Sequence, residues 1–190
     1  QISRLYVVGS NEETAPVIEA SYVRFLGLMD TLIEQQRFVF GRRPSSADFG
    51  VYAQLTQLAK FDPTPANICM ELAPRVFAWT DMVDDLSGEP ALAAAWMAIE
   101  EARALLGGLL TEIGNTYAPV LVANAEALGA GQEQMATNID GKRWEQPVFP
   151  YQGKCLGWIN EEYQRLNKEA QTQVDEILAG TGCDSLLDAR

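Results

Sequence analysis

The chain has 190 residues, 47% of them hydrophobic, and carries 14 basic against 26 acidic side chains for a net charge of −12, with no histidine. A chain of this length buries about 70% of its unfolded surface, so it has a real core and is too apolar for disorder. The acidic balance excludes nucleic acid and anionic membrane surfaces as partners. The missing imidazole removes the usual general base and histidine-based metal sites, and no run of about 18 uncharged apolar residues is present to span a bilayer.

Three widely spaced cysteines, Cys69, Cys155 and Cys183, form no C-x-x-C pair and leave one thiol over, which points to a reducing, cytoplasmic compartment. The first residue is Gln1, so the chain reads as processed or as one piece of a longer protein.

From Ala15 to Gln36, Ile18, Tyr22, Phe25, Met29, Leu32 and Ile33 recur at helical spacing, which predicts a long amphipathic helix. Gly41 to Pro44 break the pattern, and a second helix begins after Ser45. Phe61-Asp62-Pro63-Thr64-Pro65 stops it. Thr64 is a candidate cap for a short helical turn, and Pro74 opens a helix that runs to about Leu86 and closes at Gly88.

Ala91 to Ile113 reads as helix, with Gly107 and Gly108 inside it, where close approach of another backbone would explain them. Asn115 or Thr116 is expected to cap a further helix that contains Pro119 and ends near Gly129. Asp140-Gly141 between short β-prone runs predicts a hairpin near 136–146. Tyr151 to Leu178 reads as one long helix ended by Gly180. The expected fold is all-α, a helical bundle with a small β-hairpin insertion.

Ser45 and Asp48 stand three apart at a helix start, the spacing of a reciprocal capping box. Gly41, Pro44, Ser45, Ala47 and Asp48, followed by Pro74, Val76 and Trp79, resemble the motifs of the all-helical C-terminal domain of the glutathione S-transferase family. The resemblance covers roughly residues 15 to 88. It divides the chain into a transferase-like helical core, residues 1–88, and a helical extension, residues 89–190, packed in the same domain.

What the resemblance implies is an N-terminal thioredoxin-like domain that holds glutathione as co-substrate, and no strand-rich stretch precedes the helices here. The chain is then expected to supply the hydrophobic-substrate wall and homodimer contacts of a full-length transferase that acts on a small electrophilic or disulfide substrate. It binds no cofactor alone and contributes no catalytic residue. Tyr6, Tyr22 and Phe25 are the candidate substrate wall; Ser45 and Asp48 are structural. A non-catalytic interaction scaffold and a stand-alone binder of apolar ligands are the alternatives.

Other groups read as structure. Arg42 and Arg43 form a solvated turn, and Asp81, Asp84, Asp85 and Glu89 a solvated acidic face with no metal. Cys155, beside Lys154 near a helix start, is a candidate activated thiol, but its neighbours Ile159, Tyr163 and Leu166 point to a buried structural cysteine.

Overall fold

The structure is a computed structural model and describes residues 2–88 and 96–188. Within them the chain is mostly helical and carries one two-stranded antiparallel sheet. A 3₁₀ helix, Ile2–Val8, precedes α1 (Ala15–Gln35), α2 (Ser46–Leu58), α3 (Pro63–Leu72), α4 (Pro74–Asp84), α5 (Ile99–Thr116) and α6 (Ala118–Gly129). The hairpin β1 (Gln134–Ile139) and β2 (Lys142–Pro147) follows, then α7 (Pro150–Arg165), α8 (Lys168–Leu178) and the short α9 (Ser185–Asp188).

The chain forms two compact units, residues 1–21 with 107–190 and residues 22–106. The sequence drew one boundary, at 88/89; the units are bounded inside α1 and inside α5. The start of α1 belongs with the later part of the chain because Val17 and Ile18 share a cleft with Val120 and Ile139.

In the unit of residues 22–106, Leu26, Met29 and Leu32 of α1 are buried, as are Leu55, Cys69, Val76, Trp79 and Val83 from α2, α3 and α4. Each such large side chain contributes roughly 1.5–3 kcal/mol on burial. Trp79 donates its indole N–H to the Arg37 carbonyl at 2.9 Å, which satisfies its polar edge. Asp62, not Thr64, caps α3: its carboxylate accepts from the Thr64 N–H at 3.2 Å, and Pro63 takes the first turn where no donor is needed. The helix from Pro74 ends at Asp84, since Asp85 is already extended. Arg75 ties α4 to α1 by donating to Asp30 and Glu34.

Residues 89–95, which include Glu89 and the expected helix start at Ala91, lie outside the described residues. Trp96 and Gly41 pair as an isolated bridge, and α5 starts only at Ile99. Arg43 lies 4.6 Å from the centre of the Trp96 ring, a cation–π contact.

In the other unit, α6 packs against α7, β1 and α9, around Ala118, Leu121, Leu156, Cys183 and Leu186. Neither Asn115 nor Thr116 caps α6. The Thr116 hydroxyl donates back to the Glu112 carbonyl at 2.6 Å, and Tyr117, still helical, joins α5 to α6 almost without a break. The hairpin turns at Asp140 (φ 49°) and Gly141 (φ 75°), the paired positive φ that a two-residue turn of this hand requires. Its register sets Met135 opposite Gln146 and Thr137 opposite Trp144. Met135, Ile139 and Gln146 are buried.

Tyr151 to Leu178 forms two helices. Leu166 turns extended, and Asn167 caps α8 by accepting from the Ala170 N–H at 2.9 Å. The buried Gln171 side chain donates to the Tyr163 carbonyl at 3.1 Å. A side-chain cap has interrupted an apolar pattern that runs on unbroken.

A Cβ at Gly107 would meet nothing within 4 Å, so close backbone approach does not explain that residue. The close approach is at Gly114, where a Cβ would lie 1.9 Å from the Thr181 carbonyl oxygen.

Candidate functional site

The unit of residues 1–21 and 107–190 contains an open cleft of about 360 Å³, lined chiefly by apolar side chains: Val8, Val17 and Ile18 on one side, Val120 and Ile139 on the other. That volume lies at the small end of the range typical of ligand pockets, about 300–1,000 Å³. Trp144, Gln146, Gln152, Tyr117, Thr116 and Ser21 complete the lining, and none of the lining residues is charged.

Three local arrangements hold it. Asn11 and Thr14 cap one another at the entry to α1: the Asn11 N–H donates to the Thr14 hydroxyl and the Thr14 N–H to the Asn11 side chain, each at 3.0 Å. The fully buried Thr14 then donates its hydroxyl to the Gly9 carbonyl at 2.7 Å. This fixes Gly9 at φ 72°, where a Cβ would lie 2.3 Å from the indole nitrogen of Trp144; only glycine lets that ring lie against the backbone.

Asn124, fully buried on α6, grips the peptide before α7. It accepts the Phe149 N–H at 2.7 Å and donates to the Phe149 carbonyl at 3.0 Å. This sets where α7 begins, and therefore where Gln152 stands in its first turn. Last, Trp144 donates its indole N–H to Gln146 at 3.1 Å, and Gln146 donates to Gln152 at 3.3 Å. Burial raises the Tyr117 pKa, and the nearby Cys155 raises it further, so its hydroxyl is neutral at physiological pH.

None of the three residues expected to form a substrate wall lines this cleft. Tyr6, in the 3₁₀ helix, is exposed. Tyr22 and Phe25, on α1, belong to the other unit and are half-buried. The Tyr22 hydroxyl donates to the Pro65 carbonyl at 3.3 Å.

Ser45 and Asp48 form a reciprocal capping box at the start of α2. Asp48 is fully buried, and one carboxylate oxygen accepts from the Ser45 N–H at 2.8 Å and the Ser45 hydroxyl at 2.7 Å. The other oxygen accepts from the Val39 N–H at 2.7 Å, a partner nine residues away that spacing does not reveal. All the groups Asp48 meets are donors of the fold, and the carboxylate serves as a strut.

Two of the thiols, Cys69 and Cys183, are structural in their surroundings; Cys155, expected to be buried, is only half-buried, because the face of α7 that carries it is not fully covered. Cys69 is fully buried, and burial pushes its pKa up; the side-chain hydrogen bond with Tyr22 and the Lys60 charge oppose this only in part. Tyr22 is raised as well, first by burial and then by Cys69. Cys183 donates to the Leu110 carbonyl at 3.0 Å, and burial raises its pKa too. A thiol whose pKa is raised in the folded state stabilises fully below the unfolded value, near 9.0, and loses that contribution as pH climbs through the folded one. The melting temperature is therefore expected to hold steady from pH 7 to 8.5 and to fall above pH 9, measured by circular dichroism. Replacing Cys69 and Cys183 by alanine should flatten that decline.

A second cavity, about 460 Å³, lies between Tyr163, Asp175, Leu178 and Asp184. Its polar edge is internally paired, with the Tyr163 hydroxyl donating to Asp175 at 2.7 Å. In the acidic group after Phe77, Asp81 pairs with Lys60 at 2.7 Å, Asp84 accepts from Tyr52 and Asp85 from Ser87; Glu89 lies outside the described residues. Among the described residues no cluster of His, Cys, Asp or Glu is arranged to hold a metal, and no helix is long and apolar enough to cross a membrane. No family model, curated protein or solved structure matches the chain.

Proposed function

We propose that the chain binds a small, uncharged and largely apolar molecule in the cleft between the start of α1, α6 and the hairpin. The observation that carries this is the lining: Val8, Val17, Ile18, Val120 and Ile139 face a common space in which a few polar groups, and no charged one, converge. A charged ligand would leave water there without a counter-charge, whereas an apolar one gains roughly 25 cal/mol for each Å² it buries.

The test is titration with N-phenylnaphthylamine, a neutral fluorescent probe. Saturable binding at one site is expected. Ile18→Glu, which places a carboxylate in the lining at an already exposed position, should weaken it at least tenfold, about 1.4 kcal/mol. Ile113→Glu, also at an exposed position but outside the lining, should not. Equal loss in both variants, or none in either, would refute the assignment.

A second reading is favoured by a different observation. The Ser45–Asp48 box, with Pro74 opening α4 and Val76 and Trp79 buried on it, supports the helical C-terminal domain of a glutathione S-transferase-like protein, a homodimer whose thioredoxin-like domain would hold glutathione. That support comes from the unit of residues 22–106. Glutathione-affinity retention and a conjugation assay on the full-length protein beside this chain decide it. Conjugation by the isolated chain would count against the reading.

A further inference from the structure

On the reading that the cleft is a binding site, we infer that its ligand carries a hydrogen-bond acceptor, a carbonyl or ether oxygen, which the Gln152 side-chain amide meets as donor. The direction of the polar relay gives this. An indole nitrogen can only donate, so the Gln146 group 3.1 Å from Trp144 must be its oxygen. Gln146 is buried, and its amide nitrogen is then the group turned to Gln152, 3.3 Å away. A nitrogen facing Gln152 requires the Gln152 oxygen, and this leaves the Gln152 N–H₂ at the end of the chain. That nitrogen has no acceptor among the described residues.

A donor-only tryptophan thus sets the polarity of two amides that could each otherwise turn over. The cleft ends in a donor. Both ends of the relay are braced, Trp144 by Gly9 and Gln152 by the Asn124 grip before α7. With Tyr117 neutral and no charged group in the lining, the class that fits is a neutral ketone, ester, amide or ether on an apolar frame, and not a carboxylate or an ammonium.

The probes are benzophenone and diphenylmethane, which have the same rings and differ in a carbonyl against a methylene. Nitrogen–proton correlation NMR reads the Trp144 indole and the glutamine side-chain amides directly. Benzophenone is expected to bind about three- to tenfold more tightly than diphenylmethane, the range for one net hydrogen bond, and to shift the Gln152 amide signals. Diphenylmethane should shift the Trp144 signal and leave those of Gln152 in place. Gln152→Met keeps the bulk but removes the donor, and with it the acceptor for Gln146; within this variant benzophenone and diphenylmethane should bind with equal affinity. Equal binding of the two probes, or a preference that survives Gln152→Met, overturns the inference while the cleft stands as a binding site. Failure of both probes to move the Trp144 signal overturns the cleft reading, and the inference with it.

Discussion

Gly114→Ala is expected to destabilise the protein by about 3 kcal/mol or more and to release the segment after α8. The new Cβ would lie 1.9 Å from the Thr181 carbonyl oxygen and 2.8 Å from the Gly182 carbonyl carbon. Both are backbone atoms, so no rotamer change can relieve the overlap, and either α5 or the 181–182 turn has to move. Gly182 is itself at φ 84° with its own Cβ position 3.1 Å from the Gly114 oxygen, which leaves the turn little freedom to adapt. If the turn moves, Cys183 loses its burial and its bond to the Leu110 carbonyl. The variant should therefore show a lower denaturation midpoint together with rapid alkylation of Cys183. Gly107→Ala is the control on the same helix. Nothing lies within 4 Å of its Cβ, and it should raise stability by about 0.5–1 kcal/mol through helix propensity. Wild-type stability in Gly114→Ala would show that the two segments do not approach as described.

Asp48→Ala comes next in size, at roughly 3–5 kcal/mol. The carboxylate accepts from the Val39 and Ser45 amides and from the Ser45 hydroxyl, all between 2.7 and 2.8 Å, inside a fully buried site. Removing it strands two backbone N–H groups, each at a cost of about 1–3 kcal/mol, and leaves a small cavity. Ser45→Ala keeps the carboxylate and the two amides; it should cost only about 1 kcal/mol. Urea denaturation of the two variants separates these values. A loss in Asp48→Ala no greater than in Ser45→Ala would show that the Val39 bond carries no weight.

The contrast between those two residues tells how far sequence reaches. The box at 45–48 is legible because both partners lie within one helical turn. Val39 is not, because a loop brings it back, and only the folded backbone says that the second oxygen has a use. The hairpin was legible for the same reason of locality, since Asp140-Gly141 carries its own conformational demand. The break between α7 and α8 was hidden: Leu166 and Asn167 continue a helical pattern, and a competing cap decides the outcome. With the glycines, spacing marks an unusual residue but not its neighbour, so Gly107 drew attention that belonged to Gly114.

The cleft shows the largest gap. Its walls come from residues 8–21 and 116–152, and no window of sequence contains both. Trp144, Gln146 and Gln152 form no motif. The one available sign was the Asn11-x-x-Thr14 spacing before an apolar run, which marks the cap that steadies Gly9.

The grip of Asn124 on Phe149 also bears on how the hairpin resists sliding. A strand that slips by one residue turns its inward set outward, and a short two-stranded ribbon has few ladder bonds with which to refuse. Here the ribbon is pinned at both extremities, by the left-handed pair Asp140 and Gly141 at its tip and, at its foot, by the Asn124 amide, which accepts from the Phe149 N–H and donates to the Phe149 carbonyl. A shifted alignment would have to abandon both pins at once, so Met135 and Ile139 stay committed to the interior and Trp144 keeps its place against Gly9.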